Sequence, residues 1–291
     1  MNGVINIFKN KGMTSFDVVK NVRRIANEKK VGHTGTLDPE AIGVLPVCLG
    51  KATKIIDYIM DSEKTYVVKF ELGIVTDTYD LEGKIISQKD ASNISSELIL
   101  ETINSFVGSY NQVPPMYSAL KKNGVRLYEL ARQGIEVERE SRLVNIYSIE
   151  DISISKPFIE MKVKCSKGTY IRSLCYDIGQ KLEVGATMVS LKRSGTACFY
   201  EEDSINIDAL TEDNIEENLI SIEDALSKYP KLFINKGFSK LIINGVRVAD
   251  RRACSQNIEL NKLYRVYDEN KRFIGLGRKN EMGIKLEKLL I

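Results

Sequence analysis

The sequence predicts an α+β protein with a small β-rich unit at its C-terminal end. Three observations carry this. Apolar residues recur at helical spacing in some segments and alternate in others, and the two kinds interleave from residue 4 to residue 185. An acidic stretch, 201–230, interrupts the pattern. From Lys231 onward, short strand-like runs return with turn residues between them. The expected division is a main domain over 1–230 and an appendage over 231–291, since 291 residues exceed the usual size of a single domain.

Residues 4–8 predict a short strand and 14–30 a helix. Phe16, Val19, Val22 and Ala26 share helical spacing there, and Thr14 and Asp17 are spaced as a capping box. Residues 31–54, rich in Gly and Thr, read as a loop entering a helix that carries Ile55, Ile56 and Ile59. Tyr66, Val68, Phe70 and Leu72 alternate with more polar neighbours, the pattern of a strand with one apolar face. TDTYDLEG (76–83) is a polar loop before another short strand, and 95–107 is a helix stopped by Gly108. Pro114 and Pro115 keep QVPPMYSALK extended. Strands are expected near 143–153 and 157–165, then a helix over 169–182 with Thr169 as its N-cap. Residues 122–143, rich in Lys and Arg, suit either a thumb-like loop that orders on RNA or a plain helix-plus-loop insertion. The tail shows an Asn244-Gly245 turn and strands near 263–267 and 272–276.

Composition removes several function classes. The single histidine, His33, leaves no His-rich metal site and only one candidate for a nucleophilic triad. Five scattered cysteines without a C-x-x-C pair argue against a disulfide framework or a zinc knot. The first residues, MNGVINIFKNKG, lack the apolar centre of a secretory signal, and no apolar run is long enough to span a membrane. A cytoplasmic protein is expected. The net charge of +3 hides a partition: 201–230 hold ten acidic residues and one lysine, which leaves +12 on the rest of the chain. Such a body suits a polyanion, or simply a solvated lysine-rich surface.

The densest stretch is GHTGTLDP (32–39). Gly32 and Gly35 permit close backbone approach, and Pro39 restricts the backbone of Asp38. A carboxylate on a stiff loop, five residues after the only imidazole, fits a preorganised site, and the same letters fit a surface turn. Two nucleotide readings fail. TGTLD lacks the aspartate that precedes TGT in phosphorylated pump loops, because Gly32 stands there. GKAT (50–53) has Leu45 and Ala52 where a phosphate-binding loop needs Gly and Ser/Thr. In CSKGTYIR (165–172), Arg172 falls in the first turn of a helix, where the dipole disfavours a cation unless a carboxylate neutralises it. A solvated arginine is the plainer reading there, as a half-buried strand aromatic is for Tyr66.

Taken in order, GHTGTLDPEAIGVLPVCLGKATK, KTY, TDTYDLEG and CSKGTYIRSL closely resemble the bacterial tRNA pseudouridine synthase B family. The resemblance runs from about residue 4 to 193. It implies a pseudouridine synthase fold, with a central mixed, largely antiparallel sheet flanked by helices and loops, and a PUA-like RNA-binding appendage. It also implies isomerisation of the T-arm uridine of tRNA, position 55, by base flipping and without metal or cofactor. By position, Asp38 matches the catalytic aspartate, Tyr66 the aromatic packed on the target base, and Arg172 the arginine paired with the aspartate. Tyr170 and Leu191 match base-pocket residues, His33 the histidine that contacts the T loop, and Asp80 a pocket carboxylate. One departure is Asn10, where the family's K-P-x-G-x-T-S signature has Pro.

The chemistry is consistent with these roles. The C1′–N1 bond breaks, the base turns and a C1′–C5 bond forms, with no redox change. Asp38 can attack C1′ or remove the C2′ proton, and a bidentate Arg172 would favour its ionised form. A non-catalytic RNA-binding or tRNA-folding chaperone with the same fold would share the basic body without needing an Asp38–Arg172 pair. A glycosidase would need two carboxylates across a sugar, which Asp38 and Asp80 could formally supply. The expected partner is the T stem-loop of tRNA, with no membrane, no obligatory protein partner and a monomeric state.

Overall fold

The computed structural model describes residues 1–291. Strand β1 (Gly3–Lys9) leads into helix α1 (Ser15–Ala26). Both halves of the capping box form: Asp17 N–H donates to the Thr14 hydroxyl, and Thr14 N–H donates to the Asp17 carboxylate. The helix stops four residues earlier than the sequence suggests, because Asn27 turns left-handed (φ 44°) and its N–H closes on Arg23 and Arg24 carbonyls. Phe16 is exposed; Val18, Val19, Val22 and Ala26 form the buried face. Replacing Thr14 with Ala removes the cap and should cost about 1 kcal/mol in a urea titration. No change in the midpoint would show that the cap does not contribute.

The expected loop over 31–54 contains two strands, β2 (Val31–His33) and β3 (Ile42–Leu49). β3 is buried on both faces, so it lacks the alternation that marks a half-exposed strand, and Gly43 and Pro46 further disguise it. The Pro46 carbonyl accepts from Thr34, so the proline still contributes to the local hydrogen bonding. A 3-10 turn (Gly50–Ile55) precedes the short helix α2 (Ile56–Met60). β4 (Lys64–Leu72) alternates buried and half-buried along its whole length, as Tyr66, Val68, Phe70 and Leu72 predict.

Next come the hairpin β5 (Ile74–Thr76) and β6 (Ile85–Gln88), α3 (Ser96–Asn104) and β7 (Gly108–Gln112). The 122–143 insertion holds a two-stranded hairpin, β8 (Lys121–Lys122) and β9 (Val125–Arg126), with α4 (Leu127–Arg132) behind it. β10 (Arg142–Ser155) and β11 (Phe158–Cys165) pair before α5 (Ile171–Lys181). Tyr170, not Thr169, is the N-cap of α5. The Thr169 hydroxyl instead donates to the Ser166 carbonyl, four residues before the cap.

β12 (Ala186–Thr196) was not legible in the sequence, because register shifts after Met188 and Arg193 break its alternation. It lies antiparallel to β4 along most of that strand. Short segments β13 (Phe199–Tyr200), β14 (Ile205–Asn206) and β15 (Leu219–Ile220) fasten the acidic stretch to the sheet, and α6 (Ile222–Ala225) follows. The large sheet runs β14–β1–β3–β12–β4–β11–β10–β7. Its parallel pairs are β1–β14 and β3–β12, and the others are antiparallel, so the expected mixed, largely antiparallel sheet is what forms. α1, α3 and α5 supply apolar residues to one core with the inward faces of β4, β10 and β11. Each fully buried side chain of the size of Phe70 or Leu45 contributes roughly 1.5–3 kcal/mol.

The tail forms its own sheet from β16 (Lys231–Phe233), β17 (Leu263–Tyr267), β18 (Phe273–Asn280) and β19 (Gly283–Leu289), with α7 (Ser239–Ile243) beside it. The Asn244-Gly245 turn closes α7, with Gly245 at φ 81°, and does not join strands. Leu263, Leu276 and Leu290 pack with Val4, Val44 and Phe199, which docks the tail on the back of the main sheet.

Candidate active site

Asp38 follows β2 on a loop that is anchored on both flanks. Ser15, at the start of α1, accepts Leu37 N–H and donates to the Leu37 carbonyl. On the other side, Gly12 N–H and the buried Lys9 ammonium both donate to the Pro39 carbonyl. Lys9 also donates to Asn10 and Met13 carbonyls, and burial lowers its pKa to about 8. Sequence reading missed Ser15 and Lys9 as anchors, although both stand in the N-terminal signature. The Asn10 side chain bonds Asn206 and Asp208, away from this loop.

Arg172 enters from the first turn of α5, nearly buried, and its fork is shared. Nε lies 3.1 Å from Asp38 Oδ2, and Nη1 lies 3.2 Å from Asp80 Oδ2 and 3.2 Å from the Thr78 carbonyl. Nη2 donates to the Tyr117 carbonyl at 2.8 Å. The expected bidentate grip on Asp38 is therefore corrected to a single contact, because Asp80 and two carbonyls occupy the other donors. Two carboxylates resolve the conflict between a cation and the positive end of a helix. The Asp38 side chain keeps 39% of its surface exposed, whereas that of Asp80 keeps 14%. The protein mass around the loop raises the Asp38 pKa, Arg172 opposes this, and the Asp80 charge reinforces it.

Asp80 is fixed by its own loop. Thr78 Oγ1 donates to Asp80 Oδ1, Thr76 Oγ1 donates to its carbonyl, and Glu82 N–H donates to Oδ1. Tyr79 takes a left-handed φ of 64°, unusual for a tyrosine, and its ring stacks on Tyr176 of α5 at 4.0 Å. This stack ties the Asp80 loop to the helix that carries Arg172.

Tyr66 and Leu191 lie on the neighbouring strands β4 and β12 and belong to the same core cluster as Leu37. Tyr66 is 7% exposed, so little of its ring is open. Burial raises its phenol pKa, and the Arg193 guanidinium beside it pulls the other way. Tyr170, half-buried, also has its pKa raised by burial, and the Asp38 charge reaches both phenols. His33 stands apart: no hydrogen bond or ion pair joins it to Asp38, Asp80 or Arg172. Its Nδ1 accepts Gly35 N–H, which leaves the proton on Nε2, and burial followed by Arg193 lowers its pKa. Arg193, also missed, is fully buried and ties β12 to this loop through the Val44 and Gly35 carbonyls. Thr78 and Tyr117 were missed because they contribute main-chain carbonyls, which no side-chain motif reveals.

Comparison with known proteins places the chain in a family. Residues 23–171 match the TruB family pseudouridylate synthase N-terminal domain, and 172–229 match the tRNA pseudouridylate synthase B C-terminal domain. Proteins named tRNA pseudouridine synthase B from Clostridium perfringens and Clostridium tetani are 65% and 56% identical. They align over 100% of this chain and over 99% and 100% of their own lengths. Among solved structures, a chain of a Cbf5–Nop10–Gar1 complex superposes with a TM-score of 0.78 at 28% identity, covering 99% of this chain and 85% of that one. A chain of an archaeal box H/ACA sRNP Nop10–Cbf5 complex gives 0.75 at 25%, covering 100% and 86%. Fold and sequence kinship are those of an enzyme that isomerises uridine to pseudouridine in RNA. The chain belongs to the TruB family of pseudouridylate synthases.

Proposed function

We propose that the substrate is tRNA and the target its T-arm uridine, position 55, with Asp38 as the catalytic carboxylate. The observation that carries this reading is the Asp38–Arg172 contact: a carboxylate open on one side, held by a guanidinium that Asp80, Thr78 and Tyr117 lock in place. Flipping the uridine out of its loop costs a few kcal/mol of stacking. The flipped base enters beside Tyr66, Tyr170 and Leu191, and neutral His33 contacts the RNA loop through a hydrogen bond or stacking.

Asp38 acts in its charged form, and Arg172 keeps that form accessible although bound RNA would exclude water. When the C1′–N1 bond breaks, the electron pair leaves on the base. After rotation, C5 bonds C1′, the C5 proton passes to solvent and N1 gains a proton. Direct attack on C1′ and removal of the C2′ proton differ in one measurable respect. Only the second gives a primary isotope effect with C2′-deuterated RNA when chemistry limits the rate.

Residues 1–230 serve as the catalytic domain and 231–291 as a PUA-like RNA-binding domain, a division supported by the separate tail sheet that starts at Lys231. The chain acts as a monomer in the cytoplasm, without an obligatory protein partner. All five cysteines are free, as a reducing compartment keeps them.

An unmodified tRNA transcript incubated with the protein and assayed for pseudouridine tests the reading; absence of product at that position would overturn it. Binding should also weaken linearly with log salt, by a slope of about 0.7–0.9 per phosphate contacted. A salt-independent affinity would rule out the basic body as the docking surface.

A further inference from the structure

Gln112 ends β7, five residues before the Tyr117 carbonyl that receives Arg172, and it is 1% exposed. The amide is fully used. Oε1 accepts Tyr170 N–H at 2.8 Å, and Nε2 donates to the Tyr170 carbonyl at 3.0 Å. The second proton of Nε2 goes to the Tyr110 hydroxyl. A flipped amide would set two donors against each other at Tyr170 N–H, so the orientation is fixed. The side chain thus pairs with the main chain of Tyr170 as a neighbouring strand would. The Ser173 hydroxyl donates to the carbonyl of Val113, the residue after Gln112, pinning the first turn of α5 to the same segment.

We infer that Gln112 is a positioning residue: it sets the backbone of Tyr170, and through the first turn of α5 the fork of Arg172, for the reaction at Asp38. The inference rests on the roles proposed above for Arg172 and Tyr170. α5 has no side-chain cap at Tyr170, and none of the hydrogen bonds of the Asp38–Arg172–Asp80 cluster holds that residue's main chain. Without the Gln112 amide, the first turn of α5 keeps its core packing and the Ser173–Val113 bond, but no side chain holds the main chain of Tyr170. A shift of about 1 Å at a reacting group costs on the order of 100-fold in rate.

Gln112→Met keeps length and apolar bulk but makes neither bond. It should lower the single-turnover rate of pseudouridine formation by at least about tenfold while tRNA affinity changes less than about twofold. Gln112→Glu gives a signature that a purely structural role would not. Ionised, it accepts Tyr170 N–H but repels the Tyr170 carbonyl; protonated, it donates as the amide does. Burial raises the pKa of such a carboxyl. Tyr110, Tyr170 and, through Tyr110, Asp177 face it, with the cations Arg142 and Arg172 near Tyr170. The rate of Gln112→Glu relative to the unaltered enzyme should therefore rise as pH falls.

An unchanged rate in Gln112→Met, or a pH-independent ratio for Gln112→Glu, overturns the inference. A parallel loss of rate, tRNA affinity and melting temperature in both variants overturns it as well. The unaltered enzyme and Arg172→Met are run alongside. If the first makes no pseudouridine, or the second keeps full activity, it is the reading of the site that fails instead.

Discussion

Asp38→Asn will make no pseudouridine, and it will still bind tRNA. Asparagine keeps the size of the side chain and can offer an oxygen to Arg172 Nε, now 3.1 Å away, so the site keeps its shape. It can neither attack carbon nor accept a proton, and loss of the reacting group should cost on the order of 10⁴-fold or more. Release of tritium from tRNA labelled at uridine C5 measures the step directly, since that hydrogen is lost when C5 bonds C1′. Turnover within tenfold of the unaltered enzyme would remove Asp38 from the mechanism. The same variant separates an enzyme from a tRNA-folding chaperone, because a chaperone role survives the change.

The pH dependence follows from the same residue. Its folded-state pKa lies above the ordinary 3.8, mainly through burial, so the active charged form is lost at higher pH than for a free aspartate. The rate should fall on the acid side through that raised value. For stability the sign is opposite to that of a well-paired carboxylate. A raised folded pKa means that the charge costs stability above it, and this cost is relieved as pH falls. Asp38→Asn should therefore hold or raise the melting temperature at neutral pH, the pattern expected when a site is kept charged for function.

Elements with one wet face were legible in the sequence. β4 shows strict alternation because one side is core and the other half-exposed, and α1 was announced by Thr14 and Asp17. β3 and β12 were hidden for physical reasons. β3 is buried on both sides and so has no period to read, and β12 is broken by two register shifts. The site divides in a similar way. Asp38, Asp80 and Arg172 stand in motifs and meet in space. The groups that hold them, the Thr78 and Tyr117 carbonyls and the Gln112 amide, depend on tertiary contacts across 94, 55 and 58 residues of chain. No local pattern encodes such contacts. The left-handed φ of Tyr79 and its stack on Tyr176 likewise appear only in the folded chain.

Arg172 should be the second most costly position, and the most informative in combination. Lysine keeps a charge but has no fork, so it cannot serve Asp38, Asp80 and two carbonyls together. Arg172→Lys should lose roughly 10²–10³-fold in rate, the scale of removing one preorganised electrostatic group. Arg172→Met should go further and also unfold more easily. It strands the Asp38 and Asp80 carboxylates beside each other, with the Thr78 and Tyr117 carbonyls left unpaired. Breaking a buried pair in this way costs about 3–5 kcal/mol, with Asp38's exposure placing this case toward the lower end. The Asp38 pKa loses its main opposing influence, so any residual activity should show an acid limb moved to higher pH. Adding Asp80→Asn to Arg172→Met removes one of the stranded charges. The double variant should then be more stable than Arg172→Met alone, although Asp80→Asn by itself destabilises, and it should remain inactive. Additive stabilities in urea titrations would mean that Arg172 and Asp80 act independently, and the shared fork would lose its claim to be the structural centre of the site.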